Sequence, residues 1–165
     1  MSSKVDPQVV KEWIGVNGLI VLPFHRSHID RLGLAEYDAM SIETLESKEL
    51  LFQGMEDSEY SFTVFYNLQP MLSFGFQPKW TGVAEAWMFT GTVGREHGII
   101  LSRGARRVFD KIGPALDLRR MQIVVSVDRS DAVNWARFLK FEEEGRLKSY
   151  GPEGADYLMF ARVYT

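Results

Sequence analysis

The sequence predicts an α/β (α+β) domain in which one mixed sheet carries helices on both faces. Strand and helix patterns alternate along the chain, and the last forty residues have the pattern strand, short helix, strand, strand. Aromatic residues also fall on both faces of three central strands, at positions 62, 65, 66, 74, 76, 87 and 89. A sheet with one face in water would alternate toward polar residues, whereas a sheet covered on both faces needs apolar residues on each.

The N-terminal half is predicted to supply three helices and one strand. Asp6 and Pro7 are a cap and a first-turn proline, which start a short helix through Trp13. The first strand is LIVLPF. One helix is predicted over HRSHIDRLGLAEYDAM (25–40) and another over SIETLESKELLFQGM (41–55), in which Gly54 is the expected stop.

The remaining elements are mostly strands bounded by turn residues. Three strands are predicted at 60–67, 69–78 and 83–91. Three more are predicted: one at 121–128, one that begins at Phe141, and one at 155–165. Residues 103–112 predict a helix closed by Gly113 and Pro114, and a second helix follows residue 129 with Ser130 or Asp131 as its cap. The order is β-αα-βββ-α-β-α-ββ in a single domain over 1–165, with 1–17 as an N-terminal extension.

Composition excludes several classes of function. A net charge of −3 and a pI near 5.7 give no basic excess, so direct binding of nucleic acid is not expected. Without cysteine there is no thiol nucleophile, disulfide or Cys-based zinc site. His25 and His28 lie three residues apart with Asp30 nearby, but two histidines without a third convergent ligand do not predict a metal site. The lack of a long apolar run and the polar N-terminus predict a cytoplasmic protein without a membrane segment.

The C-terminal half resembles the Gcn5-related N-acetyltransferase (GNAT) family. Ala132, Phe141 and Glu144-Gly145-Arg146-Leu147 stand where members have a helix alanine, an aromatic and an acidic-Gly-Arg-Leu segment. The resemblance covers roughly residues 18–165. It implies a mixed sheet of about seven strands, splayed between the fourth and fifth, and transfer of an acyl group to an amine. The co-substrate would be acetyl-CoA or another acyl-CoA.

The family's pyrophosphate loop has a counterpart in Arg95–Ile100, which has the basic residue and first glycine but ends in Ile100 instead of a small residue. The residues expected from the resemblance to bind the cofactor are Met88, Phe89, Thr90, Arg95, His97, Gly98, Ile99, Ile100, Arg103 and Arg129. Two alternatives stay open. The glycine could merely link a strand to a helix, and the arginines at 95, 103, 106 and 107 could form a solvated basic face.

Two residues are the candidates for acid–base catalysis. Glu85 in the fourth strand is a candidate base if it shares a face with Trp87 and Phe89, where burial would raise its pKa. Tyr150 beside the last turn is a candidate acid, and Tyr157 flanks the same turn. Solvent exposure of Glu85 and aromatic packing of the tyrosines are the alternatives.

Other positions depart from the family pattern and leave a second function open. Ala136 stands where many relatives have a catalytic tyrosine, Lys140 replaces a glycine and Arg129 an asparagine. The segments LSRGARRVFDKI and RFLK also resemble internal virion proteins of short-tailed phages, which implies action in host cytoplasm. The alternative to acyl transfer is therefore a weakly active or inactive protein that binds a partner. The amine acceptor, small molecule or protein, is unidentified, and a homodimer stays open.

Overall fold

A seven-stranded sheet forms the centre of the computed structural model, which describes residues 5–165. Its strands are β1 Leu19–Pro23, β2 Ser61–Tyr66, β3 Gln69–Trp80, β4 Val83–Thr90, β5 Arg120–Ser126, β6 Glu142–Leu147 and β7 Tyr157–Val163. In the sheet they follow the order β1-β2-β3-β4-β5-β7-β6. Neighbours are antiparallel except β4 and β5, which are parallel. The predicted fold class is confirmed.

Residues 5–165 also form seven α-helices. They are α1 Pro7–Ile14, α2 Ser27–Leu32, α3 Glu36–Glu43, α4 Lys48–Asp57, α5 Thr92–Glu96, α6 Gly98–Ala115 and α7 Ser130–Phe138. The predicted start of α1 is confirmed, because the Asp6 carboxylate accepts a hydrogen bond from Val9 N at 3.0 Å. Residues 1–4 of the predicted extension lie outside the described residues.

The helices between β1 and β2 differ from the prediction. The single helix expected over 25–40 is two helices, because Gly33 has φ of 67° and ends α2 in the left-handed conformation. The helix expected over 41–55 begins later, at Lys48, and Gly54 lies inside α4 instead of ending it. The Gly33 carbonyl accepts a hydrogen bond from Thr92 Oγ1 at 3.2 Å, and a Cβ on residue 33 would lie 2.5 Å from that oxygen, so the packing requires glycine there.

Two later helices also depart from the prediction. Helix α6 is longer at both ends than the expected 103–112, beginning at Gly98 and continuing past Gly113 and Pro114. Helix α7 has no side-chain cap: Arg129 occupies the N-cap position, and neither Ser130 nor Asp131 does. Both corrections concern helix ends, where sequence patterns are least informative.

Helices cover both faces of the sheet, as the aromatic pattern predicted. On one face the main core packs under α1, α6 and α7, and Ala86 and Met88 of β4 contact it. On the other face a smaller apolar cluster from β1 to α4 contacts Trp87 and Phe89. Its buried members are Phe24, Ile29, Leu32, Ile42, Phe52 and Met55. Successive residues of β4 thus face opposite layers, as expected for a strand.

Candidate active site

The parallel strands β4 and β5 separate after only three residue pairs. Val83, Ala84 and Glu85 pair with residues 120–122, and beyond them the two strands no longer pair with each other. The outer edges stay bonded, since β4 pairs with β3 up to Thr90 and β5 pairs with β7 up to Ser126. The facing edges therefore present unpaired backbone N–H and C=O groups to the gap. The predicted splay is confirmed, and α6 lies in the connection between the two parallel strands.

The gap opens into an apolar cavity of about 310 Å³. Residues of β4 and β5, the first half of α6 and the inner face of α7 line it, and α3 and β7 close one end with polar side chains. Trp135 of α7 donates a hydrogen bond from Nε1 to Ser102 Oγ at 3.0 Å, which ties the two helices that wall the cavity. A cavity of this size holds a narrow, mostly apolar chain.

At one end of the cavity, the N-terminus of α6 offers free backbone donors. The first amide of this helix with a backbone acceptor is that of Leu101, which donates to His97 O at 3.0 Å. His97 gives the helix no side-chain cap, and the amides of Gly98, Ile99 and Ile100 come before this first bonded one, because the first N–H groups of a helix lack a partner within it. Free N–H groups and the helix dipole together favour an anion at this position.

The glycines before α6 differ in what they contact. A Cβ on Gly91 would lie 2.3 Å from Leu32 O, and one on Gly94 would lie 2.6 Å from Met71 O. Packing therefore requires both as glycines. A Cβ on Gly98 would meet nothing within 4 Å. Protein contacts do not require glycine at position 98, whereas close approach of a ligand to the backbone would.

The arginines near the start of α6 make different contacts. Arg95 donates to Thr90 O at 3.0 Å and Gly33 O at 2.9 Å, and so joins the end of β4 to the link between α2 and α3. Arg106 stacks on the Phe138 ring, and Arg107 donates to Ile14 O at 2.7 Å. Arg103 is exposed and has no hydrogen bond or ion pair within residues 5–165. Of these four arginines, Arg103 is the one that can bind an anion without giving up a hydrogen bond or ion pair.

At the other end of the cavity, polar side chains from α3, β7 and the start of α7 meet. The hydroxyl oxygens of Tyr37 and Tyr157 lie 2.6 Å apart. The Arg129 guanidinium lies over the Tyr37 ring, 5.1 Å from its centroid, and Arg129 Nη1 lies 3.7 Å from Asp38 Oδ1. Arg129 makes its hydrogen bonds to Asp131, at 3.1 and 3.2 Å.

Burial shifts the ionisation of two of these groups. Desolvation raises the pKa of Asp38, while the positive charges of Arg129 and Arg95 oppose that rise. Desolvation and the hydrogen bond with Tyr37 raise the pKa of Tyr157 above its ordinary value of 10.0. The Tyr157 hydroxyl therefore stays protonated at neutral pH.

The turn between β6 and β7 positions the Tyr157 ring. A Cβ on Gly151 would lie 2.1 Å from Tyr157 Cε2, so only glycine leaves room for the ring. Tyr150 packs against that ring with centroids 5.3 Å apart, but it is 55% exposed. Of the two tyrosines that flank this turn, Tyr157 lines the cavity and Tyr150 lies outside it.

The structure brings together only part of the predicted site. The predicted residues that line the cavity are Met88, Thr90, Ile100 and Arg129. Those at or near the start of α6 are Arg95, His97, Gly98, Ile99 and Arg103.

Phe89 and Glu85 lie outside the cavity. Phe89 packs against the second apolar cluster, and Glu85 accepts a hydrogen bond from Gln122 Nε2 at 2.9 Å and lies 3.9 Å from Lys79 Nζ. The catalytic role of Glu85 stays a prediction.

Sequence reasoning missed Tyr37 and Asp38. Both lie in α3, and neither belongs to a sequence motif. The one sequence feature that could have indicated them is that Tyr37 and Asp38 are adjacent on a helix that leads toward the sheet. Nothing in the sequence connects that pair to residues 129 and 157.

Solved structures that resemble this fold include acetyltransferases. A GNAT-family acetyltransferase from Bacillus anthracis matches with a TM-score of 0.67 at 13% identity, over 89% of this chain and 95% of that protein. A Salmonella typhimurium acetyltransferase that modifies the N-terminal serine of ribosomal protein L7/L12 matches with a TM-score of 0.66 at 17% identity, over 91% and 97%. A ribosomal L7/L12 alpha-N-protein acetyltransferase in complex with coenzyme A matches with a TM-score of 0.65 at 18% identity, over 90% and 95%.

These likenesses establish that the chain has the GNAT fold. No protein-family model matches the sequence, and no curated protein does. The comparisons give no support to the resemblance to phage virion proteins. In residues 5–165, no helix is long and apolar enough to cross a membrane, and no three His, Asp or Glu side chains are grouped to bind a metal.

Proposed function

We propose that the chain is an N-acyltransferase that moves an acetyl or related acyl group from a CoA thioester to an amine. The observation that carries this proposal is the gap between β4 and β5, with unpaired backbone edges on both sides. It runs from the free amides of α6 to the tyrosine pair of α3 and β7. The two ends have the polarity that an acyl-CoA requires, an anion site and a site for the reacting group.

The residues present fit such a co-substrate. The pantetheine arm is narrow and carries two amide groups, so it can bond to the facing strand edges as an added strand would. The pyrophosphate would lie against the amides of Gly98–Ile100, and Arg103 can bond its oxygens with a planar fork. The side chain of Ile100 lines the cavity, so the departure from the usual small residue adds apolar surface beside the arm.

Tyr157 is the group best placed to act as the acid. In acyl transfer the amine nitrogen bonds to the thioester carbonyl carbon, the carbon–sulfur bond breaks and the sulfur leaves with the bonding electrons. A positioned acid that protonates this sulfur speeds such a step by roughly 10²–10⁴-fold. The Tyr157 hydroxyl lines the cavity and is held by Tyr37, whereas the usual family position is Ala136. An ammonium acceptor loses one proton to water before its nitrogen attacks, and the proton that the nitrogen loses after the attack restores the Tyr157 hydroxyl.

Calorimetry with acetyl-CoA and a thiol-release assay test this function. We expect micromolar binding of acetyl-CoA and release of free CoA when a suitable amine is present. A protein that binds neither acetyl-CoA nor CoA at millimolar concentration contradicts the proposal. The likeness of the fold to acetyltransferases favours this function over the binding-only alternative.

A further inference from the structure

The cavity extends well beyond the gap between β4 and β5. Beneath α6 it continues over β3 and β2 as far as β1, where α1 closes it. This extension, the apolar lobe, is lined by Ile14, Leu19, Val64, Leu72, Phe74 and Gly104. Neighbouring strands lie about 4.8 Å apart, so the apolar lobe crosses roughly 14 Å of sheet between β4 and β1. It is long enough for an extended hydrocarbon chain.

Ionisable side chains are confined to the opposite part of the cavity. The ionisable residues that line it are Tyr37, Asp38, Arg129 and Tyr157, which belong to α3, the start of α7 and β7. The side chains that line the apolar lobe are aliphatic or phenyl groups, which offer a ligand no hydrogen bond. Enclosed space with such walls binds apolar ligands in preference to water.

The strands that form the floor of the apolar lobe differ from those that border the gap. They are paired with one another, β1 with β2, β2 with β3 and β3 with β4. Their backbone groups are therefore already bonded, whereas the facing edges of β4 and β5 are unpaired beyond Glu85. The amide groups of a pantetheine arm find partners in the gap and none in the apolar lobe, which leaves the lobe for the acyl group.

The N-terminal extension determines where the apolar lobe ends. Ile14, the last residue of α1, lines the closed end, and its carbonyl accepts a hydrogen bond from Arg107 Nη1 at 2.7 Å. A Cβ on Gly104 would lie 3.1 Å from Ile14 Cγ2, so α1 packs closely on α6 at this point. Ile14 precedes the region that resembles the GNAT family, so that resemblance does not predict the length of the lobe.

We propose that the apolar lobe binds the hydrocarbon tail of the acyl group, and that the preferred donor is a medium-chain acyl-CoA. This inference rests on the proposed function, since the thioester lies in the gap from which the apolar lobe opens. Each methylene group that leaves water on binding strengthens the complex by about fourfold. The transfer keeps its chemistry: the amine nitrogen bonds to the carbonyl carbon, and CoA leaves as the thiol.

Calorimetry with a series of thioesters tests the inference. The probes are CoA, acetyl-CoA, hexanoyl-CoA and octanoyl-CoA, with sodium octanoate as the control for apolar binding that does not need CoA. Ile14→Phe fills the closed end of the apolar lobe, and Ile14→Ala lengthens it. Val133→Phe is the matched control, because Val133 is buried in the core and does not line the cavity. Thermal melts show which variants fold.

We expect wild-type protein to bind octanoyl-CoA at least thirtyfold more tightly than acetyl-CoA, with hexanoyl-CoA between them. Ile14→Phe should reduce this preference at least tenfold and leave acetyl-CoA affinity within twofold, whereas Ile14→Ala and Val133→Phe should retain the preference. The wild-type series decides by itself should Ile14→Phe fail to fold.

Three results overturn the inference: octanoyl-CoA that binds no more tightly than acetyl-CoA, octanoate that binds as tightly as octanoyl-CoA, or an undiminished preference in folded Ile14→Phe. Acetyl-CoA binding without an effect of chain length leaves the proposed function intact and overturns this inference alone. Failure of CoA and of every thioester to bind contradicts the proposed function itself.

Discussion

The hydroxyl oxygens of Tyr37 and Tyr157 lie 2.6 Å apart, although 120 residues separate them in the chain. This contact joins α3, on one side of the cleft, to the strand that begins beside the end of β5. It holds the Tyr157 hydroxyl at the end of the gap. The turn at Gly151 leaves room for the Tyr157 ring, because glycine has no Cβ there. The contact defines the reactive end of the proposed site.

Loss of the Tyr157 hydroxyl should lower catalysis without affecting cofactor binding. We expect Tyr157→Phe to reduce kcat by about 10²-fold or more, because a positioned acid contributes at least that much, and to leave acetyl-CoA affinity unchanged. Tyr150→Phe is the matched control, since its exposed side chain lies outside the cavity. Burial raises the pKa of Tyr157, so its proton should remain in place to above pH 10. A fall in activity caused by its ionisation below pH 10 would contradict this assignment.

Reversal of charge at Arg103 should weaken acetyl-CoA binding at least tenfold. A charge-assisted bond contributes about 1.5–3 kcal/mol, and Arg103 makes no other contact within the described residues that its loss would disturb. Calorimetry on Arg103→Glu measures the effect. Lys111→Glu makes the same charge change farther along α6 and should bind acetyl-CoA as wild type does. A change below twofold in Arg103→Glu would place the pyrophosphate elsewhere.

Two glycines near the start of α6 should respond differently to alanine. Gly94→Ala should lower the free energy of unfolding by about 1–3 kcal/mol, because its Cβ would meet Met71 O at 2.6 Å. Gly98→Ala should leave the melting temperature unchanged or higher, since alanine favours a helix and meets no atom there. The same change should weaken acetyl-CoA binding by crowding the phosphate. Full retention of affinity would show that position 98 does not contact the cofactor.

Tyrosine at position 136 should be accommodated by the cavity. Ala136 is 1% exposed but lines the cavity, so we expect Ala136→Tyr to retain acetyl-CoA binding, with transfer activity level or higher. Val133 is buried in the same helix and does not line the cavity, so Val133→Tyr should cost about 1–3 kcal/mol of stability. Thermal melts and a transfer assay on both variants make the comparison. An equal loss of melting temperature would mean that Ala136 packs as ordinary core.

Acid should destabilise the helices between β1 and β2 through Glu56. Its side chain accepts hydrogen bonds from Arg26 N at 2.8 Å and Nε at 3.0 Å, and these lower its pKa from 4.5 to about 2. Since the folded pKa is depressed, the contribution to stability is present above pH 4.5 and is lost as pH falls toward 2. Melting temperatures between pH 7 and 2 should therefore fall less in Glu56→Gln than in wild type. Glu46→Gln, which removes an unpaired carboxylate, should retain the wild-type slope.

The sequence by itself determined the strands and the sheet covered on both faces. These follow from local patterns, because alternation fixes which residues of a strand share a face. The splayed gap between the fourth and fifth strands was implied by the family resemblance. Asp6 and Pro7 determined the start of α1 in the same local way. The segment Arg95–Ile100 could also be placed near a helix start from its resemblance to a known motif, whereas only the structure shows that Arg95 lies in α5 and that Gly98–Ile100 begin α6.

Tertiary structure alone decided which residues form the reactive end. At Gly33 the helix ends in a left-handed glycine, and only the structure shows that its carbonyl accepts a hydrogen bond from Thr92, 59 positions later in the chain. Asp38, Arg129 and Tyr157 meet because β7 inserts between β5 and β6 and α3 packs across the gap. Tyr150 and Tyr157 flank one turn and are equivalent in the sequence. Only the pairing of Tyr157 with Ser126 determines which of them faces the cavity.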